Sequence, residues 1–254
     1  MAVSALRPRR PSSTGRSPEA PSPYPPLSLL RQAWLDVSFV HWEVDPAAVA
    51  PLLPPGTRPD TLDGVTYAGL VAFRVPSSLV AGAVPTGAFG EVNVRLYSVD
   101  ERGRRGVVFL TMDADSAPLV AAARAVTGLP YVWSDVSVRG GPGGPGPGGR
   151  RAGAVERRFP GTAHGSWSLD VGDPVPEPGP LERFLTARWG LHTRHLGRTR
   201  WVQIHHQPWP LHRARLRHLD GDLLTAAGVE PLTGEPASVL WSPGLTCELL
   251  PFPV

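Results

Sequence analysis

The sequence contains no lysine. Every one of its 25 basic residues is an arginine. Formation of an imine with a ketone substrate requires a primary amine, so the absence of lysine excludes catalysis through a lysine Schiff base. Any enzyme activity of this chain therefore proceeds without such an intermediate.

Cysteine is nearly absent too. The single one, Cys247, cannot form an internal disulfide, which fits a reducing compartment. We expect Cys247 to be a buried structural thiol. No run of about 18 apolar residues is present, so the sequence predicts no membrane-spanning helix and a soluble, cytoplasmic protein.

Two catalytic motifs are missing as well. There is no G-x-S-x-G nucleophile elbow, and no G-x-G-x-x-G follows a strand and opens a helix. These absences argue against a serine nucleophile of that kind and against a nicotinamide cofactor. We therefore predict no cofactor.

The excess of positive charge lies in one segment. The formal net charge is +3, and residues 1–26 hold four arginines against Glu19 alone. The rest of the chain is balanced, which argues against nucleic acid as a partner. Proline, serine and arginine dominate residues 1–26, so we predict a disordered tail there, with a transit peptide as the alternative. Residues 27–254 are predicted to form a single domain.

Alternation of apolar and polar residues predicts many strands. They fall at residues 33–44, 65–75, 89–99, 107–115, 130–138, 154–159, 164–171 and 200–211, with a last pair near the C-terminus. Helices are predicted at 46–53, at 117–127, near 180–191 and, as a polar helix, around 216–227, and the Gly/Pro run 140–149 is predicted to be an exposed loop. We predict a mainly β (α+β) fold, one antiparallel β-barrel with a few flanking helices.

The segment 89–99 alternates strictly. Glu91, Asn93, Arg95 and Tyr97 point to one side, and valines and a leucine point to the other. Such a polar face is either solvated or lines a pocket inside a closed barrel. Glu91 and Arg95 are four residues apart with Asn93 between them, which favours a shared ligand over a direct ion pair.

Histidines form a second group of candidates. His205 and His206 are adjacent on a predicted strand and face opposite sides, so only one of them can reach a given site. With Trp209 and with His41 on another strand, they are candidate ligand-binding residues, and His205 is also a candidate proton donor. A metal site of His41, Glu91 and one of the pair is an alternative, although a metal needs about three convergent ligands. We predict no metal.

Arg124 lies in a predicted helix among alanines. Either it extends into solvent or it is buried with a carboxylate partner, which would be Glu91 or a substrate. The sequence leaves both alternatives open.

Several segments together resemble a known family. They occur in that family's order: W-L-D-V-S-F-V-H-W-E-V-D, L-L-P-P-G-T, L-D-G-V-T-Y-A-G-L-V-A-F, F-G-E-V-N-V-R-L-Y, R-R-G-V-V-F-L-T-M-D-A, A-A-R-A-V-T-G-L-P-Y, L-E-R-F-L-T-A-R-W and H-H-Q-P-W-P-L. The chain resembles the YqjF-like family, a domain of unknown function, over most of its length.

The YqjF-like family is similar to the acetoacetate decarboxylase superfamily, whose fold is an antiparallel β-barrel with flanking helices. In those decarboxylases an arginine-bearing helix leads through Gly-x-Pro to the Schiff-base lysine, and a strand glutamate lines the cavity. The resemblance implies that Glu91 is the cavity glutamate, that Arg124 is the helix arginine and that Tyr131 stands in place of the lysine. A phenol cannot condense with a ketone, so Tyr131 either binds a small oxyanion, transfers a proton or fills the vacated space.

The sequence therefore predicts a barrel protein that binds a small organic acid or keto metabolite. Catalysis would be lyase, isomerase or hydratase chemistry with Glu91 as base, Arg95 or Arg124 as carboxylate anchor, and Tyr131 or a histidine such as His205 as proton donor. The alternative is a non-catalytic ligand-binding or structural barrel. The sequence leaves the oligomeric state open, although the superfamily commonly forms homo-oligomers.

Overall fold

The computed structural model describes residues 30–80, 84–85, 87–140, 146–232 and 234–249. The predicted tail, residues 1–26, and the centre of the predicted glycine loop, residues 141–145, lie outside the described residues. The strands within these ranges are β1 Leu30–Val44, β2 Thr57–Pro59, β3 Thr66–Val75, β4 Ser78–Val80, β5 Val84–Pro85, β6 Phe89–Asp100, β7 Arg105–Ala114, β8 Tyr131–Gly140, β9 Arg150–Phe159, β10 His164–Val175, β11 Gly190–His195, β12 Arg198–His205, β13 Leu211–Gly221 and β14 Ser238–Leu249. The α-helices are α1 Pro46–Val49, α2 Ala117–Thr127, α3 Pro180–Thr186 and α4 Leu223–Ala226.

The strand pairings follow a closed circuit. Starting from β1, the order is β3, β6, β7, β8, β9, β10, β13 and β14, and β14 pairs with β1 again. Strands β11 and β12 form a second connection between β7 and β14. The prediction of a mainly β fold with few helices is confirmed. The pairings are antiparallel except that β7 runs parallel to β8 and to β11. The β7–β8 pair is parallel because α2 carries the chain back across the sheet between them.

Strands β3 and β6 and the second half of β1 are buried on both faces. One face packs into a core that includes Phe39, Phe73 and Tyr97, and the opposite face packs into a second core that includes Val40, Leu70 and Val94. Branched and aromatic side chains suit such a strand because they fill space on a pleated surface. The polar residues of β6 share the face of Tyr97, so they point into the first core.

Local sequence signals fix the ends of several elements. Asp45 caps α1, its Oδ1 accepting from the Ala47 backbone N–H at 2.9 Å. Helix α2 spans the predicted residues and ends at Gly128, which adopts a φ of +69°. That conformation is easy for glycine because it has no Cβ. None of the helices in the described part of the chain is long and apolar enough to cross a bilayer.

One helix prediction was largely wrong, and another was correct in place but too long. The segment predicted as a polar helix around 216–227 is mostly strand β13, and only Leu223–Ala226 is helical. Arg213, Arg215 and Arg217 alternate with Ala214 and Leu216, which is the period of a strand and not of a helix. The helix predicted near 180–191 ends at Thr186, after which Gly190 begins β11.

Candidate functional site

The polar row on β6 is buried. Glu91 and Asn93 are each 2% exposed and Arg95 is 8% exposed, which excludes the alternative of a solvated face. Burying charged side chains is unfavourable unless hydrogen bonds or a partner compensate. The contacts of these three residues therefore define the candidate site.

Glu91 is held by two donors. Its Oε1 accepts from Asn93 Nδ2 at 3.2 Å, and its Oε2 accepts from the Tyr131 phenol at 3.1 Å. Burial raises the pKa of the Glu91 carboxyl to about 7, the charge of Asp113 adds to this effect, and the two hydrogen bonds oppose it. No cationic side chain among the described residues forms an ion pair with Glu91. A carboxyl in this state can give or take a proton near neutral pH.

Tyr131 reaches Glu91 from the first position of β8. It pairs in register with Met112 on β7, and the turn at Leu129 and Pro130 delivers it there directly after α2. Burial, followed by the neighbouring Glu91 charge, raises the pKa of the Tyr131 phenol well above its ordinary value. The phenol therefore stays protonated and acts as the donor in this pair.

Arg95 and Tyr97 form a second cluster on the same strand face. Arg95 Nη2 donates to the Tyr97 phenol oxygen at 3.3 Å and to the Leu185 carbonyl at 3.0 Å. The Tyr97 hydroxyl donates to that same carbonyl at 3.0 Å and lies 2.8 Å from His41 Nε2. The last turn of α3 thus supplies the carbonyl that orients both side chains.

The aromatic surroundings of Arg95 are extensive. Its guanidinium carbon lies 5.6 Å from the centre of the Phe39 ring, and Trp209 packs edge-on against Phe39 at 5.3 Å. The Trp209 ring is 5.3 Å from His206. Burial lowers the pKa of His206, and the charge of Arg95 contributes to that shift. Trp209 and His206 therefore belong to the walls around Arg95.

His41 is fully buried beside this cluster. Burial, and then the charge of Arg95, lowers the pKa of His41 well below its ordinary value, so the ring is neutral. The Tyr97 hydroxyl is within hydrogen-bond distance of both the Leu185 carbonyl and His41 Nε2, so the tautomer of His41 decides which ring nitrogen carries the hydrogen. His41 Nδ1 has no hydrogen-bond partner among the described residues.

Gly69 makes the approach of His41 and Arg95 geometrically feasible. It pairs in register with His41 on one side and with Arg95 on the other. A Cβ at this position would lie 2.7 Å from His41 Cδ2 and 3.4 Å from Arg95 Cγ. Glycine inside a strand often marks such a close approach, which is the sequence signal for this residue.

Two candidates lie apart from these clusters. Arg124 is exposed, and its Nη1 donates to the Tyr131 backbone carbonyl at 2.6 Å. The alternative of a buried Arg124 with a carboxylate partner was therefore wrong, because the exposed part of α2 carries it. His205 ends β12 one position after Ile204, which packs into the core containing Tyr97 and Tyr131, so alternation directs His205 to the opposite face.

Two surface cavities of the described residues lie away from the predicted site residues. One cavity of about 470 Å³ is lined by residues from the C-terminal end of β1, from α1 and from the segment after α4. Another of about 430 Å³ lies at the β6–β7 turn beside Trp201. Neither is lined by any candidate named above. The described His, Cys, Asp and Glu side chains include no group of three that could hold a metal ion, so the His41 metal alternative lacks support there.

Sequence reasoning did not assign roles to three parts of the site. Tyr97 was visible in the alternating row but was given no function. The Leu185 carbonyl and the buried ion pair of Arg188 with Asp60, 2.5 Å apart, come from segments far away in the chain. Arg188 also stacks on the Tyr97 ring at 4.9 Å. No local pattern indicates these long-range contacts.

Comparison with known proteins assigns this chain to a family. The family model described as an uncharacterized conserved protein, DUF2071, matches residues 31–246. The chain belongs to the DUF2071 family. A relative of this DUF2071 protein, the uncharacterized protein YqjF of Bacillus subtilis, is 30% identical over 190 residues, which cover 73% of this chain and 76% of YqjF.

Solved structures share the fold of this DUF2071 protein at lower identity. The enduracididine biosynthesis enzyme MppR complexed with pyruvate is 21% identical with a TM-score of 0.63, over 91% of this chain and 90% of that one. Acetoacetate decarboxylase from Legionella pneumophila is 15% identical with a TM-score of 0.57, over 93% and 91%. An acetoacetate decarboxylase-like enzyme from Sphingomonas wittichii is 16% identical with a TM-score of 0.57, over 87% and 91%. The DUF2071 chain therefore has the acetoacetate decarboxylase-like fold.

Proposed function

We propose that this protein binds a small organic acid or keto compound, and that a carboxylate of the ligand contacts Arg95. The supporting observation is that Arg95 is buried without any carboxylate within 4 Å among the described residues. A buried guanidinium with no anionic partner is costly, and a ligand carboxylate would compensate it by a charge-assisted hydrogen bond. The pyruvate complex of MppR, which has the same fold, is in keeping with a ligand of this class.

The proposed chemistry is proton transfer by Glu91. Its pKa of about 7 suits an acid or base that works near neutral pH. Because no lysine is present, the reaction would belong to the lyases, isomerases or hydratases that act without a Schiff base. The Tyr131 hydroxyl, bonded to Glu91, would hold the carboxyl in place and stabilise its ionised form. The cytoplasm is the compartment that we propose for this activity.

A second candidate is a non-catalytic binding or structural role. It is favoured by the contacts of Glu91, since both carboxyl oxygens already accept hydrogen bonds within the protein. In that case Glu91 would stabilise the core and Arg95 alone would face a ligand.

The experiment combines ligand binding with proton exchange. Melting temperatures of wild type, Glu91→Gln, Arg95→Gln and the surface control Arg102→Gln are measured with a panel of small carboxylic and keto acids. A ligand at about 100 times its Kd stabilises by roughly 2.7 kcal/mol, which moves the melting temperature by a few degrees. Exchange of carbon-bound protons of each hit is then followed by NMR in deuterium oxide.

Binding lost only in Arg95→Gln, with exchange lost in Glu91→Gln, is the expected result. Binding without exchange in the wild type would favour the non-catalytic candidate. The proposal fails if no acid stabilises the wild type, or if Arg95→Gln folds and binds as the wild type does.

A further inference from the structure

One hydrogen-bond acceptor on β6, Asn93 Oδ1, has no donor among the described residues. Asn93 Nδ2 donates to Glu91 at 3.2 Å, which fixes the orientation of the amide and directs Asn93 Oδ1 away from the carboxyl. Asn93 is 2% exposed, and none of the described residues donates to this oxygen. A buried carbonyl oxygen without a donor is unfavourable, so the site favours a ligand that brings one.

A hydrogen-bond donor two positions along the same strand face, Arg95 Nε, also has no partner among the described residues. Arg95 Nη2 is engaged with Tyr97 and Leu185, whereas Arg95 Nε is buried and has no acceptor among the described residues. The guanidinium keeps its charge, so the acceptor that suits it best is an anion.

Asn93 Oδ1 and Arg95 Nε lie on neighbouring same-face positions, so one small molecule can bind to both. Same-face neighbours on a strand are roughly 7 Å apart along the chain, and a ligand bridging them needs an anionic oxygen and a hydrogen-bond donor a few ångströms from each other. A carboxylate with a hydroxyl on the adjacent carbon has this arrangement. A 2-oxo acid offers only acceptors and would place an oxygen lone pair against Asn93 Oδ1.

Charge distinguishes the hydroxyl from an ammonium group. A 2-amino acid would also supply a donor, but its positive charge would lie within a few ångströms of the unpaired Arg95 guanidinium. In a poorly solvated site this repulsion is strong. A neutral donor avoids it.

We infer that the ligand is a 2-hydroxy carboxylic acid, with its carboxylate on Arg95 and its hydroxyl donating to Asn93 Oδ1. The inference rests on the proposed binding of a small organic acid at this site and narrows its class. It also assigns Asn93 as the residue that selects a hydroxyl over a ketone.

The experiment measures Kd by calorimetry on the full chain for two matched series. The first contains lactate, pyruvate, propanoate and alanine, and the second contains mandelate, phenylglyoxylate, phenylacetate and phenylglycine, because aromatic rings surround the Arg95 side chain. The 2-hydroxy acid should bind about tenfold more tightly than the other members of its series, since only it satisfies the buried oxygen without adding a cation.

Substitutions of Asn93 and Arg95 test which residue causes the preference for the hydroxyl group. Asn93→Leu, of similar volume, should still bind the carboxylates but should lose the preference for the hydroxyl, and Arg95→Gln should lose all of them. Asn93→Ala, which likewise has no side-chain oxygen, replaces Asn93→Leu if the latter does not fold.

The outcomes distinguish failure of the 2-hydroxy assignment from failure of organic-acid binding. Equal affinity within both series, or tighter binding of the oxo or amino acid, overturns the 2-hydroxy assignment and leaves binding of an organic acid intact. A hydroxyl preference that persists in the folded Asn93 variant overturns the role of Asn93. Absence of binding by every acid overturns both proposals.

Discussion

The phenol of Tyr131 donates to Glu91 Oε2 at 3.1 Å, and both side chains are buried. Since burial keeps the phenol protonated, the pair has one titrating member, the carboxyl. The phenol thus supports the Glu91 carboxyl, and it cannot condense with a ketone.

Replacing Glu91 with glutamine should change the pH dependence of stability. The pKa of the folded carboxyl is raised from its ordinary value of 4.5 to about 7, so the folded state retains this proton at a pH where the unfolded chain releases it. The wild type therefore loses stability relative to Glu91→Gln as pH rises from about 4 to 8, by about 3 kcal/mol in total. Urea unfolding of both proteins across this range measures the difference.

Two results would count against this prediction for Glu91. One is a stability difference that stays constant from pH 4 to 8, and the other is a wild type that gains stability relative to Glu91→Gln as pH rises. The Glu101→Gln variant, at an exposed position, is the surface control.

Removing the phenol of Tyr131 should raise the pKa of Glu91 further. The Tyr131 hydrogen bond is one of the two contacts that lower this pKa, so Tyr131→Phe should shift the pH midpoint of the Glu91 effect upward. The free energy of unfolding at pH 8 should fall by roughly 2 kcal/mol, because a buried hydrogen bond to a charged group is lost. Infrared titration of the carboxyl band measures the midpoint directly.

The control for Tyr131→Phe is Tyr67→Phe. Tyr67 is buried in the same core and has no hydrogen bond to Glu91. An unchanged midpoint in Tyr131→Phe, or an equal shift in both variants, would contradict the assigned contact.

Gly69→Ala should destabilise the protein by about 2 kcal/mol. The new Cβ would lie 2.7 Å from the fully buried His41 ring, which can yield only by breaking its contact with Tyr97. Urea unfolding provides the measurement, and Gly146→Ala, with open space around the added Cβ, is the matched control. Removing the obstacle in the double variant Gly69→Ala, His41→Ala should cost less than the two single changes together; strict additivity would argue against a clash.

Some of this site follows from the sequence and some does not. The alternation of valine with Glu91, Asn93 and Arg95 predicts one polar face. The fold buries that face, and burial raises the pKa of Glu91. The same rule, applied to Leu211–Gly221, would have identified β13, but the polar composition of that segment suggested a helix.

Contacts between distant segments had no sequence signal. The carbonyl of Leu185 meets Arg95 across 90 positions, and Arg188 meets Asp60 across 128. Backbone carbonyls are present at every residue, so no composition or spacing marks the one that a fold will use. Only the docking of α3 against β6 selects it.

Asp60→Asn should be strongly destabilising. Asp60 Oδ2 accepts from both Arg188 at 2.5 Å and Arg105 at 2.7 Å, and Arg188 is nearly fully buried. Loss of the carboxylate charge would remove the carboxylate partner that the structure shows for the buried Arg188 guanidinium, which costs about 3 kcal/mol or more. Asp135→Asn removes the partner of Arg158 from an exposed ion pair and should change the free energy of unfolding much less. Similar losses in the two variants would contradict the assigned burial.

Tyr131→Lys tests whether a small ketone reaches Glu91. Burial would lower the pKa of a lysine at this position and the Glu91 carboxylate would raise it, so the incubation is run at alkaline pH, where the free amine can condense with a carbonyl. After incubation with pyruvate and borohydride, peptide mass mapping should find one reduced adduct at position 131. The wild type should show none on any side chain, because it has no lysine.

The exposed variant Arg139→Lys is the control for non-specific reaction. Equal labelling at 131 and 139, or none at 131 in the folded variant, would mean that the Glu91 site is not one that admits a keto acid.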